Sequence, residues 1–291
     1  MNSEMNKVMK TDKDYVIAID TDSLYVNFGP LVNKLKPKDV VKTLDTICND
    51  HFTKALNKAY DELATEKNAY VNRMVMEREV IADRGIWTAK KRYILNVWNN
   101  EGVQYKDATL KIMGIEAVKS STPAPCREKI KQGLNIIMNG TEKELNTFIQ
   151  QFREEFMSLP PEDIAYPRSV NGLSKFSDAS QLFAKGAPIH CKGAILYNHL
   201  VRKNKLGNKY PYIQEGDKIK FINMKQPNLY QCSAISSITK LPKELDLHKS
   251  VDYDVQFEKS FIEPLNFILT KINWLVDKSY GTQGTLEDFF R

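Results

Sequence analysis

Two carboxylates stand two residues apart in Asp20-Thr21-Asp22-Ser23. The flanking runs, Tyr15-Val16-Ile17-Ala18-Ile19 and Leu24-Tyr25-Val26-Asn27-Phe28, are rich in β-branched and aromatic residues. That pattern predicts a hairpin whose turn presents both acids. Like charges roughly 4 Å apart repel by about 4 kcal/mol at an effective dielectric of 20. A divalent cation turns the repulsion into attraction, and hard Mg²⁺ takes one or two carboxylates together with substrate phosphates. The chemistry suggested is metal-assisted phosphoryl transfer. Paired Asp residues also cap ordinary surface turns, but such a turn has no need of apolar strands on both sides.

A second constellation, Lys90-Lys91-Arg92-Tyr93, sets three cationic donors beside a phenol. On a strand, these groups would hold phosphates and position a duplex without reading its sequence; the competing reading is a solubilising strand edge. The chain of 291 residues carries 42 Lys+Arg against 36 Asp+Glu, a formal charge of +6. The excess is concentrated in 84–131 and 185–225, on either side of an acidic block that includes Glu142, Glu144, Glu154, Glu155, Glu162 and Asp163. Two basic segments around an acidic one suit a polyanion such as DNA.

Four scattered cysteines without a Cys-x-x-Cys pair predict reduced thiols rather than a disulfide framework or a zinc site. No apolar run approaches the roughly 18 residues of a membrane span. The first fourteen residues lack the apolar centre of a signal peptide. The expected location is therefore the cytoplasm, with no membrane partner.

The elements that must position these residues follow from periodicity. Helical spacing covers 37–67; strands are expected over 71–82, 87–98 and 103–105, with a turn at 99–102. Helices are expected over 127–138 and 142–157, the latter opened by Thr141 with Glu144 three residues on, a capping box. A β segment is expected over 210–229 and a helix over 257–276. The fold class is α+β: a mixed N-terminal domain, then a larger α-rich one.

Asp20-Thr21-Asp22-Ser23 between two hydrophobic strands resembles motif C of family B DNA polymerases, where the pattern is Tyr-Gly-Asp-Thr-Asp-Ser; here Ala18-Ile19 replaces Tyr-Gly. Lys90-Lys91-Arg92-Tyr93 resembles that family's Lys-Lys-x-Tyr motif. Lys111-Ile-Met-Gly-Ile-Glu116 followed by Lys119-Ser-Ser-Thr-Pro123 looks like the palm-to-thumb junction of the replicative polymerases of tailed bacteriophages, the myovirus type. Met76-Glu-Arg-Glu79 resembles a palm strand of that group whose acids lie near the active centre.

The resemblance implies the C-terminal part of a palm at 1–115 (an antiparallel sheet with helices), an α-rich thumb at 116–276, and a tail at 277–291. It makes Asp22 the metal-binding carboxylate and Asp20 its less directly coordinated neighbour, with Thr21, Ser23 and Glu79 near the active centre. Lys90, Lys91, Arg92, Tyr93 and Lys192 would bind primer–template DNA. The spacing Gln283-x-x-Leu286-x-x-Phe289-Phe290 resembles the sliding-clamp-binding peptide of phage and archaeal replicative polymerases.

The family's motif A carboxylate, fingers and exonuclease lie upstream of motif C. Only fourteen residues precede Tyr15, and none carries those patterns. The expectation is a split DNA-directed DNA polymerase, phage-encoded and acting in the host cytoplasm. A separate N-terminal fragment would complete a two-metal Mg²⁺ site that uses dNTP. The alternative is a non-catalytic DNA- and clamp-binding remnant. A nucleotide-sugar Asp-x-Asp site would explain neither Lys90–Tyr93 nor the tail.

Overall fold

The structure is a computed structural model that describes residues 1–178 and 180–277. It combines helices with sheets, and every ladder among the described residues is antiparallel. The chain forms two compact units, Met1–Met113 and Gly114–Arg291.

In the first unit, helix α1 (Asn2–Met9) precedes the hairpin of β1 (Val16–Asp20) and β2 (Ser23–Val26). The Asn2 side chain accepts from the Tyr15 and Val16 amides at 3.0 and 2.9 Å, and the Asn27 amide donates to Tyr15 O at 2.8 Å. The open end of the hairpin is thereby fixed. Helices α2 (Gly29–Leu35), α3 (Val40–Ile47) and α4 (Thr53–Glu66) follow, α3 running into α4 through a π turn at Cys48–Phe52. Met5, Tyr15, Leu31 and Phe52 form the core beneath them, with the Phe28 ring tilted against Phe52 at 5.3 Å between centroids.

A three-stranded sheet of β3 (Val80–Ala89), β4 (Arg92–Asn100) and β5 (Val103–Met113) completes this unit, with β4 central. Being central, β4 is buried on both faces from Tyr93 to Val97. Its alternate residues Tyr93, Leu95 and Val97 pack with Tyr25, Trp87 and Tyr105, as the two-residue strand period requires.

The second unit holds α5 (Ala124–Asn139), α6 (Glu142–Ser158), the short α7 (Pro161–Ile164) and β6 (Tyr166–Ser169). Short elements α8 (Leu173–Phe176), β7 (Ser177–Asp178) and β8 (Leu182–Phe183) lead to α9 (Ile189–Lys203). Strands β9 (Lys218–Asn223) and β10 (Ala234–Ser237) join β6 in the order β10-β9-β6. Helices α10 (Tyr253–Phe257) and α11 (Glu263–Leu269), linked by a π turn at Glu258–Ile262, end the described fold. Phenylalanines four apart on each side, Phe152 and Phe156 against Phe257 and Phe261, mesh with ring centroids 4.7 to 5.8 Å apart. The Thr141–Glu144 capping box is present.

Several expected boundaries are corrected. Residues 72–79 have no regular secondary structure, so Met76–Glu79 is not part of a strand and β3 begins at Val80. The strand expected over 87–98 is broken by a two-residue turn at Lys90-Lys91, with Ala89 paired to Arg92 and Lys91 at φ 61°. The strand expected at 103–105 continues to Met113. The β segment expected over 210–229 shrinks to β9, and the last helical stretch starts at Tyr253 rather than 257 and ends at Leu269. The tail residues Gln283, Leu286, Phe289 and Phe290 lie outside the described residues. No helix among the described residues is long and apolar enough to cross a membrane.

Candidate active site

The first hairpin closes through the pair Asp20↔Ser23, leaving Thr21 and Asp22 as the turn. Thr21 sits at φ 46°, a left-handed conformation rare for a β-branched residue. Two side-chain bonds hold it: Thr21 Oγ1 donates to Asp20 Oδ1 at 3.2 Å, and Ser23 Oγ donates to Asp20 O at 3.0 Å. Asp22 is exposed and has no hydrogen-bond or ion-pair partner among the described residues.

Directly opposed residues in a ladder share a face, so Ala18, Asp20, Ser23 and Tyr25 point one way and Ile19 and Leu24 the other. The first face is the one that meets the second sheet. Tyr25 lies edge-on to Trp87 and Tyr93, at 5.2 and 5.4 Å between ring centroids. Burial, a hydrogen bond with Tyr25, and the negative fields of Tyr25, Glu79 and Asp20 all push ionisation of the Tyr93 hydroxyl well above the usual tyrosine range. The Tyr93 hydroxyl is therefore held neutral. The acidic hairpin and the basic motif, seventy residues apart in sequence, meet at these rings.

A cavity of about 590 Å³ opens beside the hairpin. Its lining includes Asp22, Ser23, Arg78, Glu79 and Lys111 among mainly apolar side chains. Glu79 is paired with Lys111 of β5. Clefts of this size with a few convergent polar groups are where ligands are usually taken.

The other expected residues are placed as follows. Lys90 and Lys91 are exposed in the β3–β4 turn rather than on a strand, Arg92 is half-buried at the start of β4, and Tyr93 is buried beside it. Lys192 belongs to the second unit, half-buried in the first turns of α9. Among the described residues, no three His, Cys, Asp or Glu side chains come close enough to hold a metal. Asp20 and Asp22 offer only hard oxygen donors, and Asp22 is in no ion pair among the described residues, which suits part of a Mg²⁺ site. Tyr25, Trp87 and Asp45 were not singled out in the sequence, where nothing links them; Arg78 stood only within Met76–Glu79, and Lys111 only in the junction motif.

This chain is similar to two phage DNA polymerases. It is 30% identical over 284 aligned positions to the DNA-directed DNA polymerase of Enterobacteria phage T4, and 33% over 285 to that of Escherichia phage RB69. Each alignment covers 91% of this chain and 31% of the relative, so the chain spans about a third of the length of the curated relatives it matches. No family model matches it.

Proposed function

We propose that these 291 residues form part of a DNA-directed DNA polymerase of the family B type: the later palm (first unit), the thumb (second unit) and a sliding-clamp tether. The similarity over 91% of the chain to two phage DNA polymerases carries this reading. It is supported by an acidic hairpin turn beside a cavity that also presents Lys111. Motif A, fingers and exonuclease come from polypeptide outside these residues, on the same chain or, in a split enzyme, on another.

Asp22, with Asp20 as its neighbour, would hold Mg²⁺, which when bound stabilises developing charge on the transferred phosphoryl group of a dNTP. The chain's own residues do the positioning. Thr21 and Ser23 fix the turn, and Tyr25 and Trp87 seat Tyr93 beside Lys90–Arg92. Lys90, Lys91 and Arg92 offer cations to its phosphates, and Lys192 does so from the second unit. Gln283, Leu286, Phe289 and Phe290 form the clamp-binding peptide.

Primer extension by the completed enzyme tests the reading. Asp22→Asn keeps the shape of the turn and removes one negative charge, so extension should fall at least about a hundredfold, the scale on which charge-stabilising groups act. Extension at the wild-type rate would exclude a catalytic role for the hairpin. Deleting 283–291 should shorten products made with the clamp and spare short-primer extension.

A further inference from the structure

Residues 72–79 lie outside the β3 ladder, and the backbone bond that the Glu79 carbonyl takes from the β4–β5 turn fixes its main chain but not where the Glu79 carboxylate stands. The Arg78 side chain, 9% exposed, supplies the missing anchors. It forms an ion pair with Asp45 of α3. Its Nη1 donates to Asn99 Oδ1 of β4 at 2.7 Å and to the Glu79 carbonyl at 3.0 Å. That carbonyl also accepts from the Glu101 amide at 2.6 Å, and Asn99 Oδ1 accepts from the Gly102 amide at 3.1 Å. Glu79, so held, engages Lys111 on the cavity wall.

We propose that Arg78 is a positioning residue: by joining α3, β4 and the Glu79 main chain, it keeps Glu79, and through it the Lys111 ammonium, on the wall that Asp22 also lines. What that wall grips, a phosphate-bearing primer–template, rests on the polymerase reading; the positioning rests on the hydrogen bonds alone. A guanidinium is needed because its planar fork meets three acceptors in fixed directions, whereas an ammonium is a point charge on a flexible stem. Two acids, Asp45 and Glu79, balance two bases, Arg78 and Lys111. Removing Arg78 would leave Asp45 without its strongest partner and free residues 76–79 to shift.

Lysine-selective acylation of the 291-residue chain, followed by mass spectrometry at Lys111, tests this without reference to activity. An amine engaged by Glu79 reacts slowly. Glu79→Gln, Arg78→Ala, Arg78→Lys and Asp45→Asn should each speed Lys111 labelling several-fold, and Arg78→Ala with Glu79→Gln should be no faster than Glu79→Gln alone. Wild-type labelling rates in Arg78→Lys and Asp45→Asn, or in Glu79→Gln, would overturn the proposal, and these variants carry the test should Arg78→Ala fail to fold. In the completed enzyme, Arg78→Lys should raise the KM for primer–template roughly tenfold with kcat changed by less than about twofold. Combined with Lys111→Ala, it should add nothing further; an additive effect counts against it. Unimpaired extension by Asp22→Asn would remove the catalytic role of the hairpin but leave the labelling result to decide the positioning role.

Discussion

Cys48 opens the π turn beside Arg78 and Asp45, and burial pushes its thiol up to about 11 against the pull of the guanidinium. Cys126, buried in α5 with its Sγ donating to Ser260 Oγ at 3.3 Å, is raised to about 11 by the same cause. An acid whose folded pKa is raised holds its proton longer when folded. The stabilisation is complete below the ordinary 9.0 and is lost as pH climbs through 9 to 11. A shift of this size corresponds to roughly 2–3 kcal/mol per thiol at the alkaline end. Urea melts at pH 8 and pH 11 should therefore differ less in Cys126→Ala than in the wild type; equal differences would mean the thiol ionises without unfolding cost. At this scale the sequence was readable only where chemistry is local. Asp20-Thr21-Asp22-Ser23 and Lys90-Lys91-Arg92-Tyr93 declare themselves because the groups are consecutive. Tyr25 with Trp87, or Asp45 with Arg78, become partners only when separate elements bring them together.

Elements were legible where a local bond pattern and a face agreed. The Thr141–Glu144 box was visible because both its bonds are local: the Thr141 amide donates to Glu144 Oε2 at 2.7 Å and the Glu144 amide to Thr141 Oγ1 at 3.3 Å. Thr141→Ala should cost about 1 kcal/mol in a urea melt, and Phe152→Ala, at the centre of the ring cluster, about 3–5 kcal/mol. Helix α9 escaped notice because Cys191, Gly193, Ala194, Ile195, Leu196, Tyr197, Leu200 and Val201 are all buried, leaving no polar stripe to reveal a period. Residues 71–75 look strand-like in type, yet Val71 and Val75 are exposed and lack a ladder. The hairpin shows the opposite imbalance: among the described residues β1 and β2 pair only with each other, while Ile17 and Ile19 are 53% and 75% exposed. Free edges of this kind invite a further strand. If the rest of the polymerase extends this sheet, amide exchange across Val16–Asp20 should slow at least about tenfold in the completed enzyme; unchanged exchange would place the added polypeptide elsewhere.

For the whole molecule, the +6 charge matters through where its cations sit. Each phosphate neutralised on a B-form duplex contributes about −0.9 to the slope of log affinity against log salt. A duplex gripped by several lysines should therefore lose affinity steeply between low and physiological salt. Lys91 allows the electrostatic role to be separated from the structural one. It occupies a two-residue turn at φ 61°, where an L side chain is strained and glycine is not. Most lysine substitutions confound lost charge with altered stability, but Lys91→Gly pushes the two in opposite directions. Relief of the left-handed strain should leave the melting midpoint unchanged or raised, by up to about 1 kcal/mol. Loss of the ammonium should make the salt slope less steep by about 0.9. Fluorescence anisotropy with a primer–template duplex across a salt series would read the second effect, and a thermal melt the first. If affinity and slope match the wild type while the melt rises, Lys91 is a turn residue whose charge never meets a phosphate. If slope and affinity fall together with no loss of stability, the turn joining β3 to β4 lies against the nucleic acid backbone.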